Sequence, residues 1–371
     1  MEQAPVTHVW SGRATVDGVP DVSGIELAAA YYRDVVGPLV LARWPGLPHA
    51  AARLGSGSDL LGLDDAMSRD HDWGLRLTLL VPGDAVADVD VFLEAELPAD
   101  YAGLPVRFPT SWQPQVRHQV EVAEPHDFVA SRTGLDTRAE LTVADWLGVT
   151  GQAMLEVTAG GVFTDTAGTL TEIRARLAWY PDDLWRYLLA ADWARLTQEL
   201  PFVGRTGSRG DETGAAVITA RLVDVAMHLG FLLDRAWPPY PKWRGTLFAA
   251  LPHAAVAGPA LARAVAAPVW REREAALVQA LEALSARQRD LGLPTPEVAI
   301  ESFWDRPFRS LVSHDGPLRE SITDPAVLAL PPEVGSLEQW VQNVAVLTDP
   351  ARRRRAAGAL APQPTKDDGN Q

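Results

Sequence analysis

A turn of small residues, Gly55-Ser56-Gly57-Ser58, runs into a loop carrying Gly62 and then into Asp70-His71-Asp72, ahead of the apolar run Leu77-Thr78-Leu79-Leu80-Val81. That order leaves few choices for the fold. A short apolar run bounded by turn residues reads as a buried strand. Read as a strand over residues 70–81, the chain alternates its side chains, so Asp70 and Asp72 share one face and His71 points to the other, where it packs. Two hard oxygen ligands on one face, beside a loop small enough to approach phosphate, make a site for Mg²⁺ and a nucleotide.

The surrounding periodicities extend this start into an architecture. Residues 24–43 read as an amphipathic helix interrupted near Gly37-Pro38. Residues 84–97 place Val86, Val89, Phe92 and Leu93 at helical spacing, and residues 117–122 alternate like a strand. Strand, helix, strand in this order suits a small mixed sheet. After residue 140 the pattern turns helical: residues 141–157 with a Thr142 cap, residues 182–200, residues 215–235 and residues 270–290, the last ending before Gly292 as a C-cap. Val162-Phe163 and Leu170-Thr171 suggest a short hairpin. The tail from residue 351, which opens on a run of arginines, reads as disordered. The expected fold class is therefore α+β: a mixed-sheet domain over residues 1–140, a mostly α-helical domain over 141–350, and a tail over 351–371.

Composition narrows the function classes. A net charge of −15 opposes nucleic-acid binding, which needs a basic footprint, so no nucleic-acid partner is expected. The absence of cysteine removes disulfides, thiolate catalysis and Cys-ligated zinc together. No uninterrupted apolar run is long enough to span a bilayer, and the opening MEQAPVTHVW lacks the pattern of a signal peptide. A cytoplasmic protein with no membrane partner is the expectation.

A Gly-Ser turn ahead of an Asp-x-Asp pair resembles the nucleotidyltransferase superfamily. The longer run GSGSDLLGLDDAMSRDHDWG resembles one branch of it, DUF4037, as do VTAGGVFTD, WYPDDLWRYLLAADW, FVGRTGSRGDETG, PPYPKWRGTLF and RPF, all between residues 50 and 310. The resemblance implies that Gly57 and Ser58 grip a triphosphate, with Gly62 following at the family's spacing. It implies that Asp70 and Asp72 hold Mg²⁺ or Mn²⁺, with a third carboxylate from a later strand, for which Glu121 is the candidate ligand or base. Arg205, in the glycine- and charge-dense segment 204–212, and Lys242, fixed between prolines and Trp243, are candidates to screen the phosphates. The residues alone leave other readings: Asp211 and Glu212 as helix caps, Lys242 as a surface cation stacked on Trp243, and Arg221, Asp224 and His228 as a solvated helix face. Asp64 and Asp65 read as solvated loop acids. The activity implied is transfer of NMP from ATP or another NTP to a hydroxyl or phosphate of a small-molecule acceptor. AMPylation of a protein, or nucleotide binding by a lapsed relative acting as a regulator, are the alternatives.

Overall fold

The computed structural model describes residues 22–69 and 72–359, together with the backbone of Thr15–Val16 and Val19–Pro20. The chain divides into two units. One comprises Met1–Val129 and Glu156–Ala175, the other Ala130–Leu155 and Arg176–Gln371. The class is the expected one, α+β, with a small mixed sheet followed by a mostly helical part.

In the first unit, helix α1 (Gly24–Tyr31) starts at a capping box: Glu26 N–H donates to Ser23 Oγ while the Glu26 carboxylate accepts from the Ser23 amide. A π-helical turn, Tyr32–Val36, then leads into α2 (Gly37–Arg43). The interruption expected near Gly37-Pro38 is thus a widened turn just before it. Pro38 has no N–H to offer the ladder and its ring crowds the preceding turn, so the hydrogen bonds slip, with Gly37 N–H donating to Tyr32 O.

Four strands form the sheet: β1 (Ala50–Ala52), β2 (Leu77–Leu80), β3 (Val120–Ala123) and β4 (Val162–Asp165), ordered β4-β1-β2-β3. Only β2 and β3 are parallel, and helix α3 (Val86–Glu96) lies between them in the chain. The register pairs Ala51 with Leu79, and Leu77 with Val120. These residues share one core with Leu27, Tyr31 and Val40 of the N-terminal helices and Val89 and Leu93 of α3. The opposite face carries Ala52, Thr78 and Glu121 in register.

Two expectations change here. The strand does not run over residues 70–81; it begins at Leu77, because Asp72 sits at φ 57° and Gly74 at φ 145°, conformations that break an extended chain. The expected hairpin after residue 162 has one strand only. Its second arm is helix α4 (Thr169–Arg176), begun where Asp165 accepts from the amide and hydroxyl of Thr171.

The second unit packs α5 (Asp182–Gly207), α6 (Glu212–Leu233), α7 (Pro241–Phe248), α8 (Ala254–Ala266) and α9 (Trp270–Asp290). Leu196 and Leu200 of α5, Leu222 and Leu229 of α6, Leu261 of α8, and Leu277 and Leu281 of α9 are fully buried. Gly292 follows α9 at φ 71°, the left-handed cap expected there. By length and composition α6 would suffice to cross a membrane, but 61% of its most apolar window is buried inside the fold. The segment read as a disordered tail opens as an ordered helix, Pro350–Ala357. Arg353 is its anchor: 2% exposed, it donates to the carbonyls of Arg132, Thr133, Gly148 and Leu347. Four carbonyl partners explain how an arginine comes to lie inside.

Candidate functional site

The Gly-Ser turn hangs from the end of β1 and is held from below by a buried ion pair. Arg53, 1% exposed, donates Nε to Asp59 Oδ2 at 2.7 Å and Nη2 to Asp59 Oδ1 at 2.8 Å. The same Nη2 donates to Ser56 O at 2.7 Å, and Nη1 donates to Leu54 O, so the guanidinium ties the loop to its own strand. The sequence offered no signal for this pair beyond two opposite charges six residues apart. Gly57 sits at φ 134°, and a Cβ there would collide with Asp59 and Arg53 and lie 3.1 Å from Arg76 Nη1. Only glycine lets the turn pass this close to two guanidinium groups. Gly62, at φ 68°, closes the 3₁₀ turn Asp59–Leu61.

The turn keeps its donors open. The Ser56, Gly57 and Ser58 amides and the Ser58 hydroxyl have no hydrogen-bond partner among the described residues. Arg76, one residue before β2, reaches the same turn. It donates to Ser56 Oγ at 3.3 Å and to Asp72 O at 3.2 Å, and it lies 4.9 Å from the centroid of the Trp112 ring. Burial and the neighbouring Arg53 lower its pKa to about 9, against the pull of Asp59, Glu121 and Asp72. At neutral pH it is still a cation, and one held at a cost.

Of the expected carboxylates, Asp70 lies outside the described residues, as does His71. Asp72 is described, and it accepts from Ser111 N at 2.6 Å and Ser111 Oγ at 2.5 Å. Glu121 stands exposed on β3, beside buried Thr78 of β2. Arg76 Nη1 donates to the Asp72 carbonyl, and Glu121 lies in register with Thr78, which pairs with Ala52 at the end of β1, so the turn, the guanidinium and two carboxylates belong to one locality. Oxygen donors of this kind suit Mg²⁺. Among the described residues no third acidic or imidazole group completes a metal cluster. Asp64 is not a solvated loop acid: 8% exposed, it accepts from the Gly24 amide at the start of α1 and from Trp73 Nε1.

Arg205 and Lys242 belong to the second unit. The segment around Arg205 is not a loop: α5 continues to Gly207, and a Cβ on Gly204 or Gly207 would strike Phe308 or Trp270. The glycines are there for helix packing. Asp211 caps α6 through the Gly214 amide, and Glu212 pairs with Arg273 at 2.6 Å, so capping and pairing account for both acids. Arg205 itself is exposed, its guanidinium 5.7 Å from the Phe202 ring and 5.8 Å from the Phe303 ring. Lys242 is exposed near the start of α7, with Nζ 4.6 Å from the Trp243 ring centroid. His228 is no solvated face residue. It is buried, with Nδ1 2.6 Å from Asp192 and Nε2 3.7 Å from Glu338. A cleft of about 260 Å³ is lined by Asp192 together with Arg195, Glu199, Gln339 and Trp340.

Residues 146–244 match the family model Domain of unknown function (DUF4037), which bears out that resemblance over this segment. A solved structure, that of a nucleotidyltransferase-like protein from Exiguobacterium sibiricum 255-15, is similar at 13% identity and a TM-score of 0.31, covering 70% of this chain and 75% of that chain. No curated protein matches the chain.

Proposed function

We propose that the chain is a Mg²⁺-dependent nucleotidyltransferase that moves NMP from an NTP, ATP foremost, to a hydroxyl or phosphate of a small-molecule acceptor. The observation that carries this reading is the Gly57-Ser58 turn, its amides and hydroxyl unpartnered, in one locality with the carboxylates of Asp72 and Glu121. The amides would cradle the phosphates, as turns of small residues do. Asp72 and Glu121, with Asp70, would hold Mg²⁺, which supplies charge neutralisation at the α-phosphate and the leaving pyrophosphate. The acceptor oxygen would form the new bond to the α-phosphorus as the bond to the β-phosphate oxygen breaks, and Glu121 would take the acceptor proton. A cytoplasmic location goes with this reading.

One observation favours a second reading, nucleotide binding without turnover. Both Asp72 oxygens already accept from Ser111, which would hold this carboxylate in place whether or not a metal arrives. Incubation with α-labelled ATP, Mg²⁺ and an acceptor panel separates the two. Transfer should occur and fall at least a hundredfold in Asp72→Asn and in Glu121→Gln. Transfer that survives Asp72→Asn in full sinks the enzyme reading at this site, and tight MgATP binding without any transfer favours the second.

A further inference from the structure

Resting on the nucleotide reading of the first unit, we infer that Arg76, together with the amides of Ser56, Gly57 and Ser58 and the Ser58 hydroxyl, forms the seat for the polyphosphate of the nucleotide. The two guanidinium groups at this turn are not equivalent. Arg53 is used up: both oxygens of Asp59 and two carbonyls occupy it. Among the described residues no carboxylate lies within ion-pair distance of Arg76, which makes two long contacts, to a hydroxyl and a backbone carbonyl. A guanidinium offers five donors in a planar fork, so most of its capacity is unspent. Its Nη1 lies 3.1 Å from the position a Gly57 Cβ would take, which sets the fork against the turn whose amides are open. The Trp112 ring lies against the fork, its centroid 4.9 Å away, a cation–π contact that favours this placement. An oxyanion bound by those amides comes within reach of a cation already in position, and a fork meeting two phosphate oxygens is the strong form of this contact. Arg76 thereby takes, within the first unit, the charge-screening role that Arg205 and Lys242 were expected to fill.

Inorganic tripolyphosphate is the probe, because it carries the phosphate chain without base or sugar. The full chain and its Arg76→Gln and Arg76→Lys variants are titrated calorimetrically with tripolyphosphate and with MgATP, and thermal melting checks that each variant folds. The expected result is tripolyphosphate binding by the wild type, weakened about tenfold to a hundredfold in Arg76→Gln and less in Arg76→Lys, which keeps the charge but loses the fork. If Arg76→Gln does not fold, Arg76→Lys and Ser58→Ala carry the comparison, each expected to bind several-fold more weakly. Equal affinity in wild type and folded variants overturns the assignment of Arg76 while leaving nucleotidyl transfer standing. Arg76-dependent tripolyphosphate binding without transfer from labelled ATP does the reverse. No binding of tripolyphosphate by the wild type overturns the seat itself.

Discussion

At the scale of single residues, the turn is governed by which charge is satisfied and which is left over. Arg53 and Asp59, at 1% and 3% exposure, form a pair that is stable only as a pair. Replacing Arg53 with Met leaves a buried carboxylate uncompensated, a loss of about 3–5 kcal/mol. Chemical denaturation should register that loss in Arg53→Met and much less of it in Arg53→Met/Asp59→Leu, where no charge remains to be buried. A double variant as unstable as the single one would mean that the carbonyl bonds of Arg53, not the ion pair, carry its contribution. The glycines and serines of this turn were legible in the sequence because their chemistry is local: small residues at a tight bend. The arginines beneath them were not. Arg53 follows β1 and Arg76 precedes β2, and only the pairing of Ala52 with Thr78 brings those strand ends together.

At the scale of elements, helices were the most readable, since their apolar periodicity is written continuously along the chain. Residues 270–290 were placed to the residue, α6 was foreseen within a turn at both ends, and α5 was foreseen at its start but runs to Gly207 rather than ending at residue 200. What failed were positions whose meaning depends on a second element. Gly204 and Gly207 look like a phosphate loop until Trp270 and Phe308 are set against them. His228 looks solvated until Asp192 of α5 and Glu338 of the short helix Leu337–Trp340 close over it. That cluster has a consequence in pH. Burial by itself would depress the His228 pKa, but Asp192 and Glu338 outweigh it and raise it to about 10, well above the usual imidazole range. Tyr180, buried beside the same carboxylates, is pushed well above its ordinary value and stays neutral across this range. A raised histidine contributes stability that is complete below the unfolded value of about 6.5 and disappears as pH climbs through the folded value. Denaturation midpoints should therefore fall between pH 7 and pH 10, and fall less steeply in His228→Gln than in the wild type. Parallel pH profiles would show that the imidazole is neutral in the folded chain.

At the scale of the whole molecule, the sign of the charge sets how a polyanion arrives. A chain with net charge −15 repels MgATP at long range, while Arg76 at the turn would attract it only at short range. The two effects respond differently to salt. Screening acts over a Debye length of about 10 Å at 0.1 M, so added salt removes the diffuse repulsion first and reaches the partly buried contact last. Proteins that steer nucleotides with a basic field lose association rate as salt rises. Here the opposite slope is expected: stopped-flow association of a fluorescent MgATP analogue should speed up several-fold between about 20 and 200 mM salt. The dissociation rate should change little over the same range. Association that slows with salt would mean that a local basic field outreaches the acidic surface. The acidic surface would then act on a step after encounter, such as admission of an acceptor, rather than on capture of the nucleotide.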